Sequence, residues 1–511
     1  MSAVIRTRFP PEPNGPLHIG HLKAIVANFM GLSHTESTAP GSRSTVLRFD
    51  NTNPETETKE YEDAIIADLA WLGFKPSGIT RTSDYFDILD SFCEKLLASG
   101  EAYIEKGSSD VISAQRLLGT PSIFRDGPLV IAPPDSIGGL NPIGGLMPGT
   151  CIRLKIDPAH KNTCMRDPVI YRYKEHPGYR CPTRRVYPSY DFSHSIVDYL
   201  EKITHSYCSR EFYVRRELYY YILERYRAVM EGNSSKMADM ADISDSLPAV
   251  YEFNRLEIED VKLSKRYFLE MLSSGECSSF SDKKLFTIAG LRNCGHDPKA
   301  LIHFIQNYVS YNLGEGGVIP KHKFEHALRE YYEANAPRRF GVPCDKLLRV
   351  KILPGDARGL SQARLPDGLE GGSIRVVSIE AGGAGGAGGA GREGYMVFIN
   401  SDDFRMEANK KYKRLKPGKR VWLKNYCQVE YVCYIPGLLT VRAVEPDGKY
   451  HCAIQWLSAS ETREVPCDTF HRWSIERDMP VNTVVQFERC GYVRLDQTLK
   501  YIMDLKSTYV E

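Results

Sequence analysis

The sequence predicts a multidomain chain of mixed class, α/β followed by all-β. Its first part is a doubly wound parallel domain of the Rossmann type, broken by an insertion; a helical connector and a β-barrel region follow. Three observations carry this. Short apolar strands alternate with amphipathic helical stretches over residues 1–84 and again over 181–268, the pattern of parallel βαβ units. Between them, residues 85–180 lose that alternation in a stretch rich in glycine and proline. From 341 to 511 the apolar period falls to two, in short runs separated by turns, while 269–340 is helical.

Composition agrees. A chain of 511 residues suits three or four domains, and 42% hydrophobic residues suffice for ordinary cores. The formal net charge of +2 gives no global attraction to polyanions, so any nucleic-acid site must come from local clustering. The 13 cysteines contain no Cys-x-x-Cys pair and read as reduced intracellular thiols, with no metal site expected. The amino terminus enters a strand at once, and no run reaches the roughly 18 apolar residues of a span, so a cytoplasmic chain without membrane contact is expected.

Taken in order, Ala3 to Phe9 reads as a strand, prolines and a glycine force a turn, and Leu17 to Met30 reads as a helix. The junction, Arg8-Phe-Pro-Pro-Glu12-Pro-Asn14-Gly15-Pro-Leu-His18-Ile-Gly20-His21, suits a phosphate: a helix start offers free N–H groups, and Gly20 removes a Cβ from a nucleotide's path. His18 and His21, three apart, can donate to phosphate oxygens, although His-x-x-His alone is more often a zinc half-site or a pair of structural histidines. Ser44 to Asp50 is a second strand and Glu57 to Phe74 a helix with Tyr61, Ile65, Leu69 and Leu72 on one face. Asp50, at a strand's carboxyl end, can pair with an ammonium group.

The insertion holds a helix (Tyr85 to Ser99), strands (Ala102 to Glu105, Thr150 to Ile156) and basic residues suited to sugar-phosphate contacts. After re-entry at Val186, Tyr190 can accept an N–H from an amide, which a carboxylate cannot offer. Lys262-Leu263-Ser264-Lys265-Arg266 reads as a loop whose cations can wrap a triphosphate. Leu301, Phe304, Ile305, Tyr308 and Val309 form a helical stripe, and Lys321 to Ala334 a second helix. Short strands then follow from Leu347 to Phe487, interrupted by a Gly/Ala tract at 381–391 that reads as a flexible loop. The run Phe404 to Lys424 carries nine cations against Glu407 alone, with Tyr412 and Trp422 interleaved, a mixture that fits unstacked RNA bases.

The Arg8–His21 run resembles the His-Ile-Gly-His signature of class I aminoacyl-tRNA synthetases, in its glutaminyl-tRNA synthetase form. Arg48-Phe-Asp50-Asn51-Thr-Asn-Pro54, Phe192-Ser-His194, Ile203-Thr-His-Ser206-Tyr-Cys208 and the Lys-Leu-Ser-Lys loop are similar to that family's text. The resemblance implies ATP, with Mg2+, bound by Glu12, Asn14, Gly15, His18, Gly20, His21, Lys262, Leu263, Ser264, Lys265 and Arg266. Of these, His18, His21, Ser264 and Lys265 would be catalytic. L-Glutamine would be held by Arg8, Asp50, Tyr190 and His194. The insertion would hold the acceptor end of glutamine tRNA and the barrels its anticodon, through Arg338, Lys411, Lys413, Arg414, Lys424, Gln486 and Arg489. Three departures stand out: Asn51 for an acid, Val214 where an acid would read the acceptor stem, and Phe280 to Thr287 in place of a proline-rich turn. A glutamyl-tRNA synthetase of the same architecture, or a synthetase-like RNA-binding protein without catalysis, is the alternative. Membership of a multi-synthetase assembly leaves no mark readable in the sequence.

Overall fold

A computed structural model describes residues 4–32, 43–127, 143, 146–232, 247–312, 317–355, 357, 359–366, 368, 374–382, 394–449, 452–467, 472–487 and 490–504. The chain forms two compact units, one of residues 1–290 with 304–323, the other of 291–303 with 324–511. The division runs through the helical stretch expected as a connector, whose helices are shared between the units.

In the first unit, β1 (Ile5–Phe9), β2 (Arg43–Phe49) and β3 (Gly78–Arg81) form a parallel sheet in the order β1-β2-β3. The helices α1 (Ile19–Met30) and α2 (Lys59–Leu72) connect them. On the other side of β1 lie β8 (His205–Ser209) and β9 (Ala249–Phe253), a parallel pair tied to β1 through Thr204, whose N–H donates to the Arg6 carbonyl at 2.8 Å. The sheet therefore reverses direction of growth at β1, and the carboxyl ends of β1 and β2 open into the crevice where doubly wound folds bind ligands. Between the halves, β4 (Ala102–Glu105), β5 (Cys151–Leu154), β6 (Val169–Tyr173) and β7 (Val186–Pro188) form an antiparallel sheet. It shares one core with α3 (Phe86–Ala98), α5 (Tyr190–Leu200) and α6 (Arg216–Met230), in which Phe92 and Phe192 stack at 5.4 Å. A further helix, α4 (Ser109–Leu118), was not expected from the sequence. Its Leu117 and Leu118 are exposed, so it lacks the apolar stripe by which a helix is recognised.

One expectation for the insertion is corrected. Arg153, on β5, is no solvated contact: it is 2% exposed, donates to Glu105 at 3.0 Å and to the Asp167 carbonyl at 2.7 Å. The turn at 280–287 is knitted without proline. Asp282 accepts from the Lys284 N–H at 3.0 Å, Thr287 donates to the Phe280 carbonyl at 2.6 Å, and the Gly290 N–H donates to the Thr287 hydroxyl at 2.9 Å. A Cβ on Gly290 would lie 2.4 Å from the Leu285 carbonyl oxygen, which explains glycine there.

The second unit is β-rich, around two cores. Leu347–Leu353 lies centrally in an eight-stranded sheet, antiparallel to Gly394–Asn400 and parallel to Leu438–Val444, over a core holding Trp456. Three- and four-stranded sheets surround the other core, which holds Trp473 and Phe487. Of the Gly/Ala tract, Ala381–Gly382 is a short strand paired with 394–395; residues 383–391 lie outside the described residues.

Candidate active site

Helix α1 starts at Ile19, two residues later than the apolar pattern suggested, because His18 is its N-cap. The His18 Nδ1 accepts from the Gly20 N–H at 3.1 Å, and the His21 Nδ1 accepts from the His18 N–H at 3.1 Å. Two histidines thus form a capping box, a role usually held by a hydroxyl and a carboxylate. With both Nδ1 atoms accepting, each ring carries its proton on Nε2. The rings lie 3.8 Å apart by centroid. Burial, then His21 and Arg255, lowers the His18 pKa to about 2; burial, then Arg255, lowers that of His21 to about 4. Both are neutral N–H donors at physiological pH, able to meet charge developing on a phosphate without a charge of their own to desolvate.

The second basic motif comes to the same place. Its loop ends earlier than expected: Ser264 caps α7 (Lys265–Ser273), accepting from the Tyr267 N–H at 3.2 Å, so Lys265 is the first helical residue. The Lys265 stem packs over Gly15, where a Cβ would meet its Cδ at 3.5 Å; a Cβ on Gly20 would meet Leu263 Cδ1 at 3.6 Å. Lys262 reaches over the Tyr267 ring, and Lys262, Ser264 and Arg266 are exposed. Residues 286–288 pair with 17–19 beside the cap, the Ile288 N–H donating to the Leu17 carbonyl at 2.9 Å.

At the end of β2, three carboxyls gather. Burial, with the charge of Glu12 adding, raises the Asp50 pKa to about 7, and burial, with Asp50 and Glu12 adding, raises that of Glu57 to about 8. Burial raises Glu12 as well, although Lys265, Arg172 and Asn14 oppose it. The Asn14 amide donates to Glu12 at 2.5 Å. Such a trio suits an ammonium ligand, whose charge would let the carboxyls ionise. Asn51, the departure from an acid, accepts from the Ser83 N–H at 2.9 Å and donates to its hydroxyl at 2.8 Å, which a carboxylate could not do.

A cavity of about 30 Å³ is lined by Tyr190, His194, Cys208, Phe212, Arg215 and Tyr219 among others. Ser189 caps α5, so Tyr190 opens the helix and stacks on His194 one turn later, at 4.6 Å and 20°. Burial, outweighing the nearby Asp198, lowers the His194 pKa to about 3. Arg8 is fully buried and meets the cavity by way of His194: its NH2 group lies 2.9 Å from His194 Nε2, and its other donors go to Asp198, Ser206 and the Tyr207 carbonyl. Arg215, beside the exposed Val214, is held by Asp191 at 2.6 Å.

Sequence reading missed Glu57, Asp198 and Arg255. Asp198 had a signal, standing four residues after His194 on one helix face. Glu57 had none, being an acid ahead of a helix start.

In the second unit, Arg338 and Gln486 are direct cross-strand neighbours. Lys411 and Lys413 are exposed, and Lys424 follows a strand that ends at Leu423. The basic run is more neutralised than its sequence suggests. Arg414 pairs with Asp403 at 2.9 Å and Arg420 with Glu430 at 3.5 Å and Asp447 at 3.4 Å, acids outside the run. Arg489 lies outside the described residues.

A doubly wound domain with paired histidines at a helix start, a facing Ser-Lys cap and an acidic trio defines a class of nucleotide-using enzyme, and comparison with known proteins identifies it. The family described as tRNA synthetases class I (E and Q), catalytic domain, matches residues 4–136 and 147–312, and the chain belongs to it. Within it, the chain is similar to glutamine–tRNA ligases. That of Pasteurella multocida is 33% identical over 482 residues, covering 89% of this chain and 78% of its own. That of Bordetella avium is 35% identical over 450 residues, covering 83% and 68%. A crystal structure of a glutamate tRNA ligase from Elizabethkingia meningosepticum in complex with its amino acid is 18% identical, covering 64% of this chain and 70% of that one, with a TM-score of 0.40.

Proposed function

We propose that this chain is a glutamine–tRNA ligase that joins L-glutamine to the terminal ribose of glutamine tRNA in two steps. In the first, a carboxylate oxygen of glutamine attacks the α-phosphorus of ATP, forming glutaminyl-adenylate and releasing pyrophosphate. In the second, a terminal ribose hydroxyl attacks the acyl carbon and AMP leaves. The observation that carries this is the joining of the two basic motifs, with Lys265 packed over Gly15 and Leu263 beside Gly20 next to the His18–His21 cap.

In this reading the Nε2–H groups of His18 and His21 and the Lys265 ammonium stabilise charge on the transferring phosphate. Asp50, with Glu12 and Glu57, holds the substrate ammonium, while Tyr190 over His194 receives the side-chain amide. Glu12, Asn14, Gly15, Lys262, Ser264 and Arg266 surround the nucleotide. Magnesium would come with the ATP and supply countercharge to its phosphates. Arg338, Lys411, Lys413, Arg414, Lys424, Gln486 and Arg489 would take the anticodon, and the antiparallel insertion the acceptor end. No described helix is long and apolar enough to cross a membrane, and a cytoplasmic place of action accords with this chemistry.

The test is charging of total cellular tRNA by the purified chain with ATP and magnesium, using radiolabelled glutamine or glutamate in separate reactions. Charging with glutamine alone is expected; charging with glutamate alone, or with neither, would overturn the proposal.

A further inference from the structure

We infer that Asp198 is a specificity-determining residue, which keeps the amino-acid cavity selective for a neutral side chain by cancelling the charge of two arginines beneath it. This rests on the reading that the Tyr190–His194 cavity receives the substrate side chain.

Arg8 on β1 and Arg48 on β2 point under α5, with 0% and 1% of their side chains exposed. Their NH2 groups lie 2.9 and 3.4 Å from the two ring nitrogens of His194, which stacks on Tyr190. Two full positive charges thus stand one imidazole away from the cavity. Asp198 meets both: its Oδ1 accepts from the Arg8 Nε at 3.0 Å and from Arg48, and its Oδ2 from the Tyr219 hydroxyl at 3.0 Å. Glu201 accepts from the Arg48 Nη1 at 3.0 Å, with Thr80 at 2.5 Å and Tyr85 at 3.1 Å as further donors. Two cations and two anions close the lattice, and His194 itself is neutral, so the lattice beneath the cavity carries no net charge.

A neutral floor gives a carboxylate no electrostatic reward for leaving water, whereas a carboxamide enters at lower cost. A guanidinium freed of its counter-ion would reverse that balance, because charges separated by a few ångströms interact strongly away from bulk water. Asp198 acts through Arg8, Arg48 and His194, so it is a positioning and charge-setting residue. A role confined to holding the fold would weaken every amino acid alike.

The experiment uses the full chain and its Asp198→Asn variant in tRNA charging, with kcat/KM for glutamine and for glutamate and KM for ATP. The expected result is a fall of at least tenfold in the glutamine-to-glutamate ratio, with KM for ATP within twofold, and a ratio largely kept in Asp198→Glu, which retains the charge. A ratio within twofold of the parent, with both rates reduced together, would overturn the inference. Should Asp198→Asn fail to fold, Glu201→Gln removes one charge at the outer end of the lattice and is expected to shift the ratio the same way; an unchanged ratio there would equally refute it. A parent chain that charges neither amino acid would instead remove the reading of the cavity, which separates the two failures.

Discussion

Gly20→Ala separates the proposed catalytic role of the histidine cap from its structural one. A Cβ at position 20 would stand 2.8 Å from the His18 Cε1 and 2.9 Å from its Nδ1, closer than non-bonded carbons tolerate, and the neighbour that can yield is the imidazole. Displacing it breaks the 3.1 Å bond from the Gly20 N–H, and loss of an N-cap costs about 1 kcal/mol. Alanine in place of glycine inside a helix returns roughly 0.5–1 kcal/mol, so the two terms nearly cancel. The melting temperature should therefore change by no more than about 2 °C in a chain of this size. The reaction has no such offset: a shift of about 1 Å in a group facing the transferring phosphate costs on the order of 100-fold. The assay is steady-state charging of tRNA with glutamine, paired with a thermal melt. Activity within about threefold of the parent at an unchanged melting temperature would refute the placement of His18 at the reacting phosphate.

Three further outcomes are expected. Lys265→Ala, which removes the ammonium beside Gly15, should lower kcat for charging by roughly 100-fold or more while leaving the tRNA dissociation constant unchanged, as measured by filter binding. The carboxyls Asp50 and Glu57 have folded-state pKa values raised to about 7 and about 8, so the ligand-free protein binds more protons than its unfolded chain between about pH 4 and 8 and loses stability as pH rises through that window. The lowered values of His18, His21 and His194 act oppositely, but only below about pH 6.5, so melting followed from pH 6.5 to 8.5 should show a decline that Glu57→Gln reduces. Lys413→Glu, at an exposed cation of the basic run, should raise KM for tRNA several-fold at low salt and flatten its salt dependence, with KM for ATP unaltered.

The parts of the fold legible in the sequence were those set by local pattern. The alternation of β1, α1, β2 and α2 and the period of two beyond residue 341 follow from burying one face of each element. The starts of α1 and α2 were each placed two residues early, because His18 and Thr58 carry their meaning in a hydrogen bond to the next turn and not in hydropathy. Arg153 was misread for a related reason: a basic residue on a strand looks solvated until its partner is found, and Glu105 is 48 positions away. The same blindness concealed Asp403, Glu430 and Asp447 as counter-ions of the basic run.

The two halves of the proposed site show why its chemistry could be named before its electrostatics. The motifs mark the groups proposed to touch substrate, and His18, His21, Asp50, His194 and Lys265 all occur within them. What tunes those groups lies elsewhere in the chain. Asp50 is raised by burial and by Glu12, 38 positions earlier, whereas Asp198 is held ionised by arginines 190 and 150 positions earlier. One carboxyl group is thus left short of a cation and the other over-supplied. On the proposed reading, the under-compensated carboxyl trio would attract the ammonium end of an amino acid, and the charge-balanced lattice under Tyr190 would refuse a second carboxylate at the other end. On that reading, the selection of a neutral side chain on a zwitterionic backbone is a difference between two burial environments, produced by pairings across β1, β2 and α5 that exist only once the sheet is assembled.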